Sequence, residues 1–218
     1  PGGTALNSGQ VGSTRAAQYI AKRYKGSPIE IDKFIKLTKE KIKEKVELGN
    51  SFTKKTEFNS NVLKIRDKLG KRLDQSGALI RSLKSTKKAL KETERDIKHI
   101  EENTRINDSK EIALAFQNYD LLIAQYVYLS AIVNYIENGG ESRGSYLIYS
   151  KQGVLPSENF SEDYRYKIKK DKFKNFIQKV KFKDTECNFS WEKTKEIPKS
   201  ENWFENIWRK YMDDQVIK

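Results

Sequence analysis

Residues 111–144 read EIALAFQNYDLLIAQYVYLSAIVNYIENGGESRG, and they form the most apolar long segment of a strongly polar chain. The apolar residues recur at three- and four-residue spacings, which predicts a long α-helix. One row comprises Ile112, Phe116, Tyr119, Ile123, Tyr126 and Val133; a second comprises Ala115, Leu122, Leu129 and Ile136; a third comprises Leu114, Leu121, Tyr128 and Tyr135. Because apolar surface runs most of the way around this helix, other elements must cover it on several sides.

Both ends of this helix carry sequence signals. Asp108 and Glu111 have the spacing of a capping box, which starts a helix by satisfying its first backbone N–H groups. The triplet 138–140, Asn-Gly-Gly, stops the helix because glycine adopts the left-handed conformation of a helix end without penalty. A membrane span is the competing interpretation, but the uncharged run 121–136 is shorter than the ~20 residues that a span needs. A charged segment, ESRG (Glu141–Gly144), follows directly.

The composition narrows the class of protein. The chain has 218 residues, enough for one large domain or two small ones, and 36% of them are hydrophobic. Cys187 is the only cysteine, which excludes an internal disulfide and leaves no metal-ligand spacing. His99 is the only histidine, and its charged neighbours favour a place on a helix surface over a role as catalytic base. We recognise no secretory signal and expect a cytoplasmic location.

The net charge of +13 raises the question of nucleic-acid binding. The basic residues are spread over the predicted helices and mixed with glutamates, and we find no compact arginine-rich arm or nucleic-acid motif. A lysine-rich solvated surface is therefore the favoured interpretation, and nucleic acid is not the expected partner.

The segments before the central helix predict further helices of a bundle. Residues 1–12 are expected to form a Gly-rich loop that opens a short helix, residues 13–24. A second capping box at residues 27–30 should start a helix that Gly49 closes, and helices over 59–75 and 85–103 should follow. The inward row expected for the helix before Gly49 comprises Ile31, Phe34, Ile35, Thr38, Ile42 and Val46. Between the last two helices, residues 76–82 contain GALIRS (Gly77–Ser82) and predict a packed loop.

The pattern changes after Gly144. Residues 146–149 predict a short extended piece, and residues 151–172 are irregular. Alternating residues over 176–182 and 187–192 predict a two-stranded hairpin. A terminal helix over 200–211 should carry Trp203, Phe204, Ile207, Trp208 and Tyr211 on one side. The expected fold is therefore mainly α, an antiparallel helical bundle with a small C-terminal β-hairpin and a terminal helix.

Several segments, in this order, resemble one family. GGTALNSGQVGSTRAAQYIA, residues 2–21, resembles the last FAD-contacting loop and helix of the succinate dehydrogenase and fumarate reductase flavoproteins, which include L-aspartate oxidases. ESRG directly after an apolar bundle helix resembles the signature of the same family, and GALIRS resembles a loop of its helical domain. The tail, with Trp191, Ile197-Pro198 and WFENIWR (residues 203–209), resembles the ends of related FAD-dependent oxidoreductases.

The resemblance implies a domain organisation, a cofactor and partners. Residues 1–26 would be the last loop and helix of the FAD-binding domain, residues 27–145 the helical bundle domain, and residues 146–218 a C-terminal extension. The implied cofactor is FAD. The implied partners are the FAD-binding domain of the same polypeptide and an electron-transfer partner such as an iron–sulfur protein.

The resemblance also implies site residues. It places seven residues near the flavin: Ala5, Leu6, Asn7, Ser8, Gly9, Gln10 and Val11. A helix N-terminus there would stabilise negative charge on the reduced flavin, whereas the alternative is a plain N-cap loop. Arg143, the candidate catalytic residue, would hold the helical domain against the FAD domain or line the active-site cleft. Its alternative is a surface ion pair with Glu141.

Two departures from the family pattern limit this expectation. The family carries an Arg just before the Asn-Ser pair, whereas this chain has Gly2-Gly3-Thr4 there, so a dicarboxylate substrate is not expected. The chain also lacks a GxGxxG phosphate-binding fingerprint and opens on Pro-Gly-Gly-Thr without Met. We therefore expect a fragment that is inactive by itself and whose longer parent binds FAD and acts as an oxidoreductase.

The rival hypothesis is a non-enzymatic helical module whose basic surface binds nucleic acid or another protein. A salt titration separates the two classes, because affinity for phosphates falls steeply with salt.

Overall fold

The computed structural model of the chain describes residues 2–24, 26–54, 59–167, 172–195, 206–207 and 209–210. The described helices are α1 (Gly2–Arg23), α2 (Ile31–Thr53), α3 (Val62–Gly77), α4 (Leu83–Lys98), α5 (Ile100–Asn103) and α6 (Ile112–Glu137). The described strands are β1 (Ile80–Arg81), β2 (Leu147–Val154), β3 (Phe176–Lys183) and β4 (Glu186–Lys193). Short 3-10 turns occur at Ser109–Glu111 and Glu162–Tyr164. The expectation of a mainly α fold with a small C-terminal hairpin is confirmed.

The chain divides into two compact units, Pro1–Asn50 and Ser51–Lys218. The three-part organisation with boundaries after residues 26 and 145 stays a prediction. In the second unit, however, the residues before and after position 145 share one core, which contains Ile132 and Ile136 of α6 together with Ile148 and Phe173.

The first unit differs from its predicted local structure in three ways. The expected Gly-rich loop, residues 1–12, is helical from Gly2 onward, and the helix expected from residue 13 is its continuation. Gly9 and Gly12 each cost a helix about 1 kcal/mol relative to alanine, which does not end a 22-residue helix. The capping box predicted at 27–30 lies before α2, which begins at Ile31 and runs through Gly49 to Thr53. The row expected to face inward on α2 is exposed at Ile31, Phe34, Ile35, Ile42 and Val46.

The second unit is built on α6, with α3 and α4 packed against it and against each other. Of the nine buried positions of α6, Ser130 and Tyr135 lie off the main row, and the other seven follow a seven-residue repeat of alternating three- and four-residue steps: Ala115, Asn118, Leu122, Gln125, Leu129, Ile132 and Ile136. The repeat contains all four residues of the second predicted row, together with Asn118, Gln125 and Ile132. The first predicted row is only partly buried, because α3 and α4 both pack on the face that carries the repeat.

The two buried amides of α6 tie it to α3 at equal spacing. Asn118 Nδ2 donates to the carbonyl of Val62 at 2.8 Å, and Gln125 Nε2 donates to the carbonyl of Leu69 at 2.8 Å. Asn118 and Gln125 lie seven residues apart on α6, and Val62 and Leu69 lie seven residues apart on α3. Shifting α6 along α3 by one turn would therefore leave both amides buried without partners. The amides therefore fix the register of the two helices.

Buried charge surrounds the second of these amides. Arg72, whose side chain is 5% exposed, donates to Gln125 Oε1 and to Thr93 Oγ1, both at 3.1 Å, and pairs with Asp96. Lys68 Nζ also lies 2.8 Å from the Asp96 carboxylate. Burial opposes ionisation of this carboxyl, but the hydrogen bonds from Lys68 and Arg72 outweigh it and hold the pKa of Asp96 below its ordinary value.

The predicted helix signals of α6 are confirmed. Asp108 and Glu111 form the capping box, with both of its reciprocal hydrogen bonds present. Gly139, with φ of 85°, takes the left-handed conformation after the last turn. The predicted helix over 85–103 differs, because it is interrupted at His99 between α4 and α5.

The segments around α6 carry the strands. Residues 76–82, predicted as a packed loop, contain β1, which pairs in parallel with β2. The extended piece predicted at 146–149 is longer in the structure, where β2 continues to Val154. The predicted hairpin is confirmed, with Phe182 opposite Cys187, and Asp184 and Thr185 both take positive φ in its two-residue turn. The predicted terminal helix, 200–211, lies outside the described residues except for 206–207 and 209–210, which are helical.

Candidate functional site

GALIRS pairs with β2, which begins at Leu147 shortly after ESRG. Ile80 pairs with Leu147 and Arg81 with Ile148 between β1 and β2. The Leu147 N–H donates to the Leu79 carbonyl at 2.7 Å, which extends the same ladder. Thus GALIRS is joined by backbone hydrogen bonds to β2, the strand that follows ESRG in the second unit.

Arg143 lies in a tight backbone turn within this site. Its N–H donates to the Tyr146 carbonyl at 2.9 Å, and the Tyr146 N–H donates back to the Arg143 carbonyl at 3.2 Å. The half-buried guanidinium donates to the carbonyl of Phe173 and lies 5.8 Å from the centre of the Tyr135 ring. The Arg143 side chain therefore connects the ESRG segment to the start of the hairpin.

Arg81 is fixed from the other side. Its Nε donates to the carbonyls of Gly77 at 3.1 Å and Ala78 at 2.9 Å, just past the end of α3. A terminal nitrogen of the same guanidinium donates to the Tyr128 hydroxyl at 2.7 Å. The carbon of the guanidinium lies 4.1 Å from the centre of the Tyr146 ring, which is close for a cation–π contact.

A small cavity of about 200 Å³ separates these groups. It is lined by Arg81, Tyr128, Ala131, Ile132, Tyr135, Arg143, Tyr146, Phe176, Gln178 and Trp191. The cavity therefore presents two guanidinium groups and one amide beside aromatic rings. Guanidinium groups bind planar polar groups such as carboxylates and peptide groups. The arginines of both segments thus line the same cavity in the second unit.

Glu141, the proposed alternative partner of Arg143, is buried. Its Oε1 lies 3.9 Å from Lys167 Nζ, and its Oε2 has no hydrogen-bond partner among the residues that the structure describes. The Tyr135 hydroxyl donates to the Glu141 carbonyl at 2.9 Å and accepts from the Glu141 N–H at 3.2 Å. The Tyr135 hydroxyl therefore fixes the turn after α6 through two hydrogen bonds to the Glu141 backbone.

The predicted flavin-contacting residues lie in the first unit. Ala5, Leu6, Asn7, Ser8, Gly9, Gln10 and Val11 occupy two exposed turns of α1. Their position inside a helix changes what they offer, because only the first four N–H groups of a helix lack intrahelical partners. The positive end of the helix dipole is at Gly2, before this segment, and Asn7, Ser8 and Gln10 present side chains instead of a loop of free amides.

Sequence reasoning missed the part played by Arg81, Tyr128 and Tyr146. The sequence predicts GALIRS as a packed loop, but its distance along the chain from Tyr146 does not indicate that Arg81 stacks on the Tyr146 ring. The detectable signal was an arginine in an otherwise apolar, Gly-containing loop that follows a helix, where cations find unpaired carbonyls.

Among the residues that the structure describes, Cys187 and His99 are the remaining groups to consider as reactive centres. Burial raises the pKa of the Cys187 thiol, which keeps it protonated and unreactive near neutral pH. His99 is exposed, as predicted, but it lies between α4 and α5 and not within a helix, with its Nδ1 2.9 Å from Glu102 Oε2. Within the described ranges, no group of three or more His, Cys, Asp or Glu could hold a metal ion. None of the helices that the structure describes has the length and apolar character needed to cross a membrane.

Comparison with known proteins leaves the site to be interpreted from its own geometry. No family model, curated protein or solved structure matches this chain.

Proposed function

We propose that this chain is the C-terminal part of a flavoprotein oxidoreductase of the succinate dehydrogenase and fumarate reductase type. In this proposal the second unit is a helical domain that braces the FAD-binding domain of the same polypeptide and borders its active site. The parent transfers hydride or electrons between a substrate and FAD, and an iron–sulfur protein is a suitable electron partner. Arg143 and the exposed face of α1 are the groups that this chain supplies to the FAD side.

The observation that carries the proposal is the exposed apolar surface of the first unit. Ile31 is 74% exposed, Tyr24 73% and Leu6 72%. The other exposed large apolar residues of this unit are Val11, Tyr19, Ile20, Ile29, Phe34, Ile35, Leu37, Ile42 and Val46. So many exposed large apolar residues mark an interaction surface, and helices that pack against a further domain carry such residues.

The cavity that GALIRS and ESRG both line supports the same proposal. Both segments were singled out by resemblance to one family, and their arginines line one cavity. A charged group on rigid elements is well suited to contact a facing domain, because its position varies little.

The residues proposed to contact FAD fit one wall of a flavin site. The exposed face of α1 with Asn7, Ser8 and Gln10 can donate and accept hydrogen bonds, but a single helix cannot enclose a dinucleotide. The Gly-rich fold that binds the pyrophosphate must come from elsewhere in the polypeptide. When bound, FAD supplies the hydride and electron chemistry, and this chain supplies contacts that orient it.

The test is to read the coding sequence upstream of Pro1 and to express the longer polypeptide. We expect a strand followed by GxGxxG upstream, about one flavin per longer polypeptide in the visible spectrum, and a colourless preparation of residues 1–218. A longer polypeptide that binds no flavin would contradict the proposal. Tight, salt-sensitive binding of nucleic acid by residues 1–218 would instead favour the basic binding module.

A further inference from the structure

We infer that Arg81 is a positioning residue that acts on Arg143 through the ring of Tyr146. The inference rests on the proposed function for its effect on turnover, whereas the coupling of the two arginines is a property of residues 51–218 alone. Nothing in the sequence resemblance assigns a role to Arg81, and the contacts that carry this inference are all within the second unit.

The first step is that the Arg81 guanidinium has a fixed plane. It donates to two carbonyls, of Gly77 and Ala78, and to the Tyr128 hydroxyl. The Tyr128 hydroxyl in turn lies 3.4 Å from the Gly77 carbonyl, to which it donates. Because the guanidinium is planar and delocalised, bonds in several directions within its plane determine where its face lies.

The second step is that this face holds Tyr146. The Arg81 guanidinium carbon lies 4.1 Å from the centre of the Tyr146 ring, closer than to the ring of Tyr128 at 5.5 Å. On another side, Tyr146 meets the Tyr135 ring edge to face, with centres 5.7 Å apart and planes at 89°. The Tyr146 ring therefore packs between the Arg81 guanidinium and the Tyr135 ring, both of which are fixed by their own hydrogen bonds.

The third step is that the backbone of Tyr146 carries Arg143. Two reciprocal hydrogen bonds join these residues, and β2 begins at the next residue, Leu147. Movement of the Tyr146 ring therefore moves the turn from which the Arg143 side chain extends. Lysine cannot replace Arg81 here, because an ammonium lacks both the planar face and the fork of donors.

The first experiment measures amide hydrogen exchange by NMR on residues 1–218, with no flavin present. Arg81→Ala should speed exchange of the Arg143 and Tyr146 amides on the order of tenfold, the effect of losing a half-buried cation–π contact. Arg81→Lys should give the same result, whereas Arg95→Ala, which removes an exposed arginine of α4, should leave these two amides unchanged. Faster exchange confined to the last turn of α3 would overturn the inference, because Arg81 would then only cap that helix.

A second pair of variants keeps the test valid if Arg81→Ala does not fold. Tyr146→Phe retains the ring face and should leave exchange of the Arg143 amide unchanged. Tyr146→Leu removes the face and should speed that exchange as Arg81→Ala does. Equal exchange in the two Tyr146 variants would show that the ring does not transmit the position of Arg81.

The final experiment uses the longer polypeptide and a double-mutant cycle. If Arg81 acts through Arg143, the double variant Arg81→Ala/Arg143→Ala should lose no more turnover than Arg143→Ala alone. Losses that multiply would overturn the inference even if the parent is a flavoprotein. A parent without flavin would contradict the proposed function, while the exchange result would still decide whether the two arginines are coupled.

Discussion

Gly140 lies directly against the ring of Tyr135, and this contact explains why the segment after α6 needs two glycines. Gly139 is required for its positive φ of 85°, whereas Gly140 is required for space. A Cβ at Gly140 would lie 2.2 Å from Tyr135 Cε1, closer than any real side chain approaches. The ring cannot move away freely because its hydroxyl is bonded to the backbone of Glu141.

We predict that Gly140→Ala destabilises the chain by about 1–3 kcal/mol, the usual cost of overpacking. Gly144→Ala is the matched control, because a Cβ there meets no atom within 4 Å. Its free energy of unfolding should stay within about 0.5 kcal/mol of wild type. Denaturant unfolding of both variants decides the matter, and equal stability would show that the Tyr135 ring yields to a side chain.

Arg143 has structural bonds of its own, so its functional role must be separated from them. In the longer polypeptide, Arg143→Ala and Arg143→Lys should both lower flavin-dependent turnover or FAD retention by roughly tenfold to a hundredfold, as misplaced groups do. Circular dichroism should show a folded helical domain in both variants. Wild-type turnover and flavin content in Arg143→Ala would mean that ESRG only ties the hairpin to the turn after α6.

At the scale of the element, the sequence of α6 predicts that the helix is buried but not which of its faces packs against the other helices. Its apolar residues occupy three rows, so periodicity predicted a buried helix but not which row faces α3 and α4. The selected row contains Asn118 and Gln125, which are polar and are buried because each finds a carbonyl on α3. Hydrophobicity alone could not identify these amides, since their burial depends on partners in another helix.

Leu122 and Leu121 test this choice of row with the same substitution. Leu122 is 1% exposed and Leu121 is 40% exposed, although they are neighbours in one helix. Leu122→Ala should cost about 2–5 kcal/mol of unfolding free energy through lost burial and a residual cavity. Leu121→Ala should cost about 1 kcal/mol or less. Similar losses for the two variants would mean that the buried face of α6 is assigned wrongly.

Asp96 makes the α3–α4 contact sensitive to acid. Because its folded-state pKa lies below its ordinary value, the stability it contributes is present above about pH 4 and is lost as the pH falls through the folded value. We predict that wild type loses unfolding free energy more steeply than Asp96→Asn does as the pH falls below about 4. Lys71 pairs with the exposed Asp67, so Asp67→Asn is a control that should keep the wild-type slope. Parallel pH profiles for wild type and Asp96→Asn would contradict this account.

At the scale of the whole molecule, the two units differ in how they cover their apolar residues. The second unit buries a core on α6, whereas the first unit leaves the apolar face of α2 exposed. We predict that trypsin cleaves residues 1–218 first at the exposed lysines between positions 33 and 45, because helices that bury little are opened most easily. Mass spectrometry of the early fragments locates the cuts. The same lysines should be protected in the longer polypeptide, and equal cleavage in both would argue against a covering domain.

The sequence by itself determined the mainly α class, the position of α6 with its capping box and terminal glycine, and the strands of the hairpin. These features follow from local spacing, capping and turn chemistry, which act between residues that are near in the chain. Tertiary structure decided which row of α6 is buried and that Arg81 and Arg143 line one cavity. These outcomes depend on partners distant in sequence, so their energies appear only when the helices and strands are packed together.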